Sequence, residues 1–278
     1  MRSLAAAALL GLSASMLAEA SSLQDLADRL VGRSRSHVRG RAITELWKLD
    51  ATDKAALVPL LLPGLQRKDA YERMNAAYAL GWLDDHAWPA REHLKPLLVD
   101  PSEMVRHQAR ATLGRLGEDR AGAVAAEIAE YRRLRGNERI EAQGARRSAI
   151  GRLGYVLAAP GERPPQGVAT LAEALADPYE YIRHEAVQSL FRVARMACPD
   201  VVPVTASLLG AIARADRNTA YVAFRVLEVM GLVSARPSDA NTASSHDADA
   251  RRALGERLAR DILGGPQPPT CPEKRPPA

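Results

Sequence analysis

A histidine and a glutamate adjoin each other at positions 184 and 185, in the segment DPYEYIRHEAVQSL. An imidazole beside a carboxylate on a helix is a common pair of metal ligands. The same motif earlier in the chain holds His107 followed by Gln108, which keeps the imidazole and loses the carboxylate. A metal site needs three or more converging ligands, and these residues do not supply them. We therefore predict no metal and no cofactor, with His184 and Glu185 as exposed polar residues on a helix.

No other pattern in the chain matches a catalytic motif. The remaining histidines are scattered without ligand spacing, and no serine lies in a Gly-x-Ser-x-Gly turn. We predict no strands, and no glycine-rich loop has the context of a phosphate site. These observations favour a protein that is not an enzyme.

The segment around His184 is one copy of a repeated motif. DPSEMVRHQARATLGRLG, from Asp100, aligns with DPYEYIRHEAVQSLFRVA, from Asp177. Equivalent positions along the chain recur at intervals of 34, 33, 37 and 40 residues, which indicates a solenoid of helical hairpins. Shorter copies begin at Ser36, Ala70 and Ala145.

The motif predicts the second helix of each hairpin. Asp100 can cap the helix, Pro101 suits its first turn, and Gly117 ends it. An apolar face follows the helical period, and only stacking against neighbouring hairpins can bury it. Its residues in this copy are Val105, Ala109, Leu113 and Leu116. The first helices contain prolines, which bend a helix.

These units resemble HEAT repeats, in particular the short bacterial HEAT-like units also found in phycobilisome lyases. The pattern Asp-Pro…Val-Arg…Ala…Leu-Gly covers about residues 36–233. The resemblance implies an all-α fold, an alpha-alpha superhelix: a HEAT-like solenoid of about six helical hairpins plus a C-terminal capping helix. The expected hairpins are 22–49, 52–83, 86–117, 119–158, 165–197 and 199–233.

The resemblance also has functional implications. It implies that Arg106 pairs with the aspartate of a neighbouring repeat. Deoxyhypusine hydroxylase, a HEAT-like enzyme, holds two irons between His-Glu pairs at this position, and here only His184-Glu185 matches. A HEAT-like metal-dependent enzyme, hydroxylase-like or lyase-like, is therefore the alternative to a non-catalytic scaffold.

Both ends of the chain carry separate signals. Residues 1–20 combine a positive start, an apolar run and Ala-Glu-Ala, the pattern of a signal peptide, so we predict a periplasmic or secreted protein. No later run is long enough to span a membrane. The expected order is a signal peptide (1–20), a solenoid (21–233), a linker (234–246), a capping helix (247–263) and a Pro-rich tail (264–278).

The C-terminal segment makes two further predictions. In an oxidising compartment, Cys198 and Cys271 are expected to form a disulfide that fixes the tail. The capping helix is expected to turn an apolar stripe inward and its charged residues toward water. The stripe contains Leu254, Leu258 and Ile262. The water-facing residues are Arg251, Arg252, Glu256, Arg257 and Arg260.

A basic surface is the remaining candidate for function. The net charge is +5, and residues 105–152 alone carry eleven arginines against six acidic residues. Export argues against nucleic acid, so we predict an acidic protein partner, with the oligomeric state left open. An immunity or inhibitor protein against an exported toxin is one form of this hypothesis. The expected binding residues on the second helices are Arg110, Arg147, His107 and His184.

Overall fold

The computed structural model describes residues 14–33, 36–234 and 236–264. These residues form helices and turns, and no strand occurs among them. The chain divides into two compact units with the boundary between Leu116 and Gly117. Within each unit, successive helices pack as hairpins. The predicted all-α class is confirmed.

The first unit contains three hairpins. Its helices are α1 (Ala14–Val31), α2 (Ser36–Leu46), α3 (Ala51–Leu61), α4 (Ala70–Gly81), α5 (Arg91–Leu94) and α6 (Glu103–Arg115). Helices α1 and α2 pack together, α4 packs against α1 and α6, and short 3₁₀ segments adjoin α3 and α5. The second helices α4 and α6 are therefore direct neighbours.

The second unit continues the same arrangement with longer helices. Its helices are α7 (Arg120–Arg133), α8 (Ile140–Leu157), α9 (Pro165–Ala174), α10 (Glu180–Met196), α11 (Cys198–Val201), α12 (Thr205–Arg214), α13 (Arg217–Val229), α14 (Pro237–Ala243) and α15 (Ala248–Leu263). The second helices α8, α10 and α13 pack side by side, and α15 packs against α12.

The apolar face of the motif forms as predicted, but the predicted Asp100 cap does not: α6 begins at Glu103, its N-cap Ser102 makes no side-chain cap bond, and Asp100 accepts from the Ser102 N–H just before the helix. Aspartates cap two other second helices. The Asp69 carboxylate accepts hydrogen bonds from the first backbone N–H groups of α4, and Asp216 caps α13 in the same way. Gly117, with φ +90°, follows α6 in the left-handed conformation that glycine favours. The predicted apolar face of α6 is buried along its whole length: Val105, Ala109, Leu113 and Leu116.

Prolines shorten the first helices more than they bend them. Pro59 lies inside α3, whereas Pro96 and Pro203 lie near the starts of 3₁₀ segments. A proline without an N–H cannot continue the α-helical hydrogen bonding, so these segments change to 3₁₀ geometry. The expectation of proline-bent helices is thus replaced by helices divided into short pieces.

Two glycines allow helices to approach closely in the second unit. A Cβ at Gly154 of α8 would lie 2.2 Å from Ser189 Oγ of α10. A Cβ at Gly255 of α15 would lie 2.7 Å from Ala213 Cβ of α12. Only glycine fits these contacts without displacing a helix.

The C-terminal segment corrects the predictions in two respects. The expected linker contains helix α14, and Arg251 of α15 is buried instead of facing water. Arg251 donates hydrogen bonds to the carbonyl oxygens of Ser245 and Ala215. Carbonyl groups at chain turns lack helical partners, which favours an arginine there over solvent. In the expected inward stripe, Leu254 and Leu258 are buried and Ile262 is half-buried.

Some predicted features lie outside the described residues. They include residues 1–13 of the signal peptide, Cys271 and the Pro-rich tail after residue 264, so the Cys198–Cys271 disulfide stays a prediction. Helix α1 begins at Ala14, inside the predicted signal peptide. Among the described helices, none combines the length and the apolar composition of a membrane span.

Candidate functional site

The motif arginine of the second hairpin, Arg73, belongs to the framework. Arg73 Nη1 donates to the carbonyl oxygens of Arg67 and Lys68, 2.8 Å away in both cases. Its Nε and Nη2 donate to the two carboxylate oxygens of Asp100, at 2.8 and 2.9 Å. This bidentate pair is mostly buried and joins the second hairpin to the start of the next motif copy.

The second unit repeats this geometry at Arg183. Its Nη1 donates to the carbonyl oxygens of Asp177 and Pro178, and its Nη2 lies 3.0 Å from Asp216 Oδ2. Burial opposes ionisation of Asp216, but hydrogen bonds from Thr219 and Arg183 outweigh it and lower its pKa. The motif arginine therefore acts as a structural clamp.

Arg106 keeps half of this arrangement. Its Nη1 donates to the carbonyl oxygens of Asp100 and Pro101, at 2.7 and 3.0 Å. No ion pair joins it to a carboxylate within the described part of the chain. The inter-repeat Arg–Asp pair that the HEAT resemblance implies for Arg106 is therefore not formed there within the described residues, and it occurs instead at Arg73 and Arg183.

In the fourth hairpin a glutamine stands at the position of the motif arginine, and an arginine one helical turn later forms the ion pair to the next repeat. Gln143 occupies the arginine position, and Arg146 instead reaches Asp177, with 3.6 Å between Arg146 Nη1 and Asp177 Oδ2. Both side chains are almost fully buried. The Tyr131 hydroxyl donates to the same carboxylate, and burial, with the Asp177 charge, raises the pKa of Tyr131 to about 12.

The two positions after the motif arginine carry polar, largely buried side chains in the first unit. His107 Nε2 lies 3.5 Å from Glu103 Oε1 on the same helix. Gln108 is 5% exposed, and its Nε2 donates to Thr112 Oγ1, which donates to the Ala77 carbonyl oxygen. His107 and Gln108 therefore belong largely to the helix-packing layer.

The equivalent position in the second unit forms a charged cluster. Glu185 Oε2 lies 3.4 Å from Arg147 Nε of α8, and Glu185 Oε1 lies 3.2 Å from Arg192 Nη2 of α10. The Arg192 guanidinium also donates to Ser189 Oγ at 2.8 Å. The Glu185 side chain lies over Gly151 of α8, and this contact partly buries it. The expectation of a plainly exposed Glu185 is corrected: it bridges two helices.

A polar stripe runs along α10 beside this cluster. Tyr181, His184, Gln188 and Arg195 recur at helical spacing and are exposed or half-buried. His184 Nδ1 is itself buried, with no hydrogen-bond partner among the described residues. Arg195 has neither a hydrogen bond nor an ion pair with another described residue. We define the α10 cluster as Arg147, His184, Glu185, Arg192 and Arg195.

The structure separates the four predicted binding residues. Arg147 and His184 belong to the α10 cluster, whereas Arg110 and His107 lie on α6 in the first unit. Arg110 is half-buried and has no charged or hydrogen-bonded partner among the described residues. Sequence reasoning missed Arg192 and Arg195, although their spacing from His184 along the predicted helix was a usable signal.

Most of the basic run from 105 to 152 is neutralised by nearby carboxylates. Arg152, for example, pairs at 2.8 Å with Glu127, whose side chain is fully buried. A run of like charges in the sequence therefore does not correspond to a uniformly basic surface. The paired arginines are Arg115, Arg132, Arg133, Arg135, Arg146, Arg147 and Arg152.

In the first unit, the arginine equivalent to Arg192 is buried against a tryptophan ring. The Trp47 and Trp82 rings meet edge to face, with centroids 5.3 Å apart. The Arg115 guanidinium lies 4.2 Å from the Trp82 ring centroid and pairs with Asp84 at 2.9 Å. Arg115 stands at the motif position that Arg192 occupies in the second unit.

Metal ligands do not converge in the described residues. No group of three or more His, Cys, Asp or Glu side chains is placed to hold an ion there. Glu185 pairs with two arginines, whose positive charges disfavour a cation at its carboxylate.

Comparisons with known proteins point to helical repeats. A HEAT-repeat family model matches residues 23–114 and 58–136. Comparison with curated proteins finds no match.

Solved structures with similar helical arrangements include an engineered protein, with 19% identity over 88% of this chain and 69% of that chain (TM-score 0.43). An archaeal HEAT-like repeats protein from Thermococcus onnurineus NA1 has 16% identity over 84% and 95% of the two chains (TM-score 0.35). Human deoxyhypusine hydroxylase, in complex with glycerol, has 19% identity over 90% and 99% (TM-score 0.30).

The family match covers residues 23–136, which are most of the first unit and the start of the second. In the second unit the aspartate cap recurs at Asp216 of α13, and the arginine clamp recurs at Arg183 of α10. The chain is a HEAT-like repeat protein.

Proposed function

We propose that this HEAT-like repeat protein is a non-catalytic interaction scaffold that binds an acidic segment of a partner protein. The observation that carries the proposal is the surplus of positive charge in the α10 cluster. Arg147 and Arg192 share one carboxylate, and Arg195 adds a further cation on the same helix. A surface with excess guanidinium groups attracts carboxylates and orients them through paired hydrogen bonds.

The other predicted residues have supporting roles in this proposal. His184 lies within the cluster and would contribute mainly through its contact surface, because its Nδ1 is buried. Arg110 offers a second unneutralised cation, on α6, with His107 one helical turn before it. These residues extend the scaffold hypothesis to the first unit.

Charge reversal tests the binding surface. The double variant Arg147→Glu/Arg195→Glu should lose capture of an acidic partner from an extract of the native host, while its helicity is unchanged. Arg260→Glu on α15 is the matched control, since Arg260 is exposed and outside the α10 cluster. Equal capture by the wild type and the double variant would refute this surface.

The non-catalytic and exported aspects need separate measurements. Protein purified without a histidine tag should contain no stoichiometric transition metal; iron that is lost on His184→Ala would instead support the enzyme hypothesis. Fractionation of host cells should place the protein in the periplasm or the medium, with its N-terminus near Ser21. A full-length cytoplasmic product would contradict export.

A further inference from the structure

One carboxylate in the α10 cluster already occupies the position that an acidic ligand would take. The two oxygens of Glu185 face different cations: Oε2 faces Arg147 of α8 and Oε1 faces Arg192 of α10. Carboxylates of a partner would seek the same two guanidinium groups, because charge-assisted hydrogen bonds to arginine are their strongest contacts. Glu185 is thus placed as a competitor from within the chain.

The contacts of Glu185 have the character of an exchangeable pair. Their lengths, 3.4 and 3.2 Å, are long for charge-assisted hydrogen bonds. The Arg147 side chain is 55% exposed and Arg192 is 30% exposed, so water and ligands can reach both cations. The Glu185 side chain is 21% exposed. Ion pairs that are partly open to water contribute little to stability, so replacement of Glu185 by an external carboxylate should cost little free energy.

The backbone of α8 provides the room for this arrangement. A Cβ at Gly151 would lie 3.2 Å from Glu185 Oε1, so a larger residue there would push the carboxylate away from the arginines. By contrast, the framework pair between Arg73 and Asp100 is bidentate, short and mostly buried. The two types of Arg–carboxylate contact therefore differ in how easily a ligand can open them.

We propose that Glu185 is an internal competitor that sets the affinity of the α10 cluster for an acidic peptide segment of a partner protein. This inference rests on the proposed function, which supplies the acidic ligand. When the ligand binds, its carboxylates take the guanidinium groups of Arg147 and Arg192, and Glu185 turns to solvent. Removal of the Glu185 charge should then tighten binding, whereas removal of either arginine should weaken it.

The test uses a fluorescein-labelled deca-glutamate peptide and fluorescence anisotropy at low and at physiological salt. Glu185→Gln should tighten binding roughly fivefold, the effect of one like charge removed near a solvent-exposed site. Arg147→Gln/Arg192→Gln should weaken it by about tenfold or more. Higher salt should reduce both differences.

A matched variant controls for net charge. Glu130→Gln makes the same charge change in the same unit, at a carboxylate that pairs with Arg133 on the first helix α7. It should change the affinity by less than about twofold, since α7 is outside the cluster. Circular-dichroism melting of every variant confirms that the fold is retained.

The outcomes separate the two proposals. If the double arginine variant weakens binding but Glu185→Gln leaves it unchanged or weaker, the competitor inference is wrong and the scaffold proposal stands. If the wild type does not bind deca-glutamate, or the double arginine variant binds as well as the wild type, both are wrong. If Glu130→Gln tightens binding as much as Glu185→Gln, only net charge matters and the inference is overturned.

Discussion

The same motif position has opposite surroundings in the two units. Gln108 on α6 is buried and hydrogen-bonds within the packing layer, whereas Glu185 on α10 is half-buried and holds two arginines. The flanking motif residues are nearly identical, Arg-His in both copies. The difference shows that the neighbouring second helix decides whether this position is structural or accessible.

The arginine seven residues further along explains part of this difference. Arg115 donates to the carbonyl oxygen of Gly81, where α4 ends and a carbonyl is free. Arg192 stands at the same position beside α8, which continues to Leu157. The Gly154 carbonyl oxygen already accepts the Ala158 N–H, so Arg192 turns to Glu185 instead. The extra turn of α8 thus leaves an arginine at the surface.

Loss of the Arg–Asp pairs that occur in both units should have the largest effect on the free energy of unfolding. Asp100→Ala and Asp216→Ala should each lower the free energy of unfolding by about 3 kcal/mol, because each leaves a motif arginine without its carboxylate. Urea unfolding followed by circular dichroism measures this. Asp85→Ala, at an exposed aspartate, is the control. A loss below about 1 kcal/mol in one unit would show that the clamp is not structural there.

A substitution at the close helix contact of the second unit should rank next. Gly154→Ala should cost about 2 kcal/mol in unfolding free energy, since the new Cβ would lie 3.0 Å from the Ser189 backbone Cα. Gly144→Ala, on the same helix, meets nothing within 4 Å and should stabilise the protein by about 0.5 kcal/mol. Similar effects of both variants would contradict the close contact.

The motif position that holds Gln108 in the first unit and Glu185 in the second can be tested directly. Gln108→Ala should cost about 1–2 kcal/mol, because it removes a buried hydrogen bond, whereas Glu185→Ala should cost less than about 1 kcal/mol. Thermal and urea unfolding of the two variants provide the comparison. A larger loss for Glu185→Ala would mean that Glu185 is primarily structural, against the idea of an accessible cluster.

The smallest effect concerns pH. The hydrogen bond from Arg73, aided by the Ser102 N–H and opposed by burial, lowers the pKa of Asp100 below its ordinary 3.8. The resulting stability is fully present above about pH 4 and is lost as the pH falls through the lowered value. The difference in unfolding free energy between wild type and Asp100→Asn should therefore shrink by about 1 kcal/mol on acidification below pH 4. A constant difference would contradict a lowered pKa.

Much of the fold follows from the repeat pattern. The repeated motif predicts the second helices, and its apolar positions are buried as expected. The arginine pair expected at Arg106 forms instead at Arg73, and Asp100 does not cap its helix. The site was less predictable. The arginine run from 105 to 152 indicates a basic face, but carboxylates distant in sequence neutralise most of it, as Asp177 does for Arg146. Such pairs depend on helix register, which composition does not encode.

By itself, the sequence determined the helical period and the apolar residues that must be buried, because these depend on contacts within one turn or one repeat. Only the tertiary structure decided which polar residues remain accessible. Arg146 and Arg147 are adjacent in sequence, yet one is buried against Asp177 and the other faces solvent beside Glu185. Burial of a polar side chain depends on what the neighbouring helix offers at that point, such as a glycine, a free carbonyl or a carboxylate.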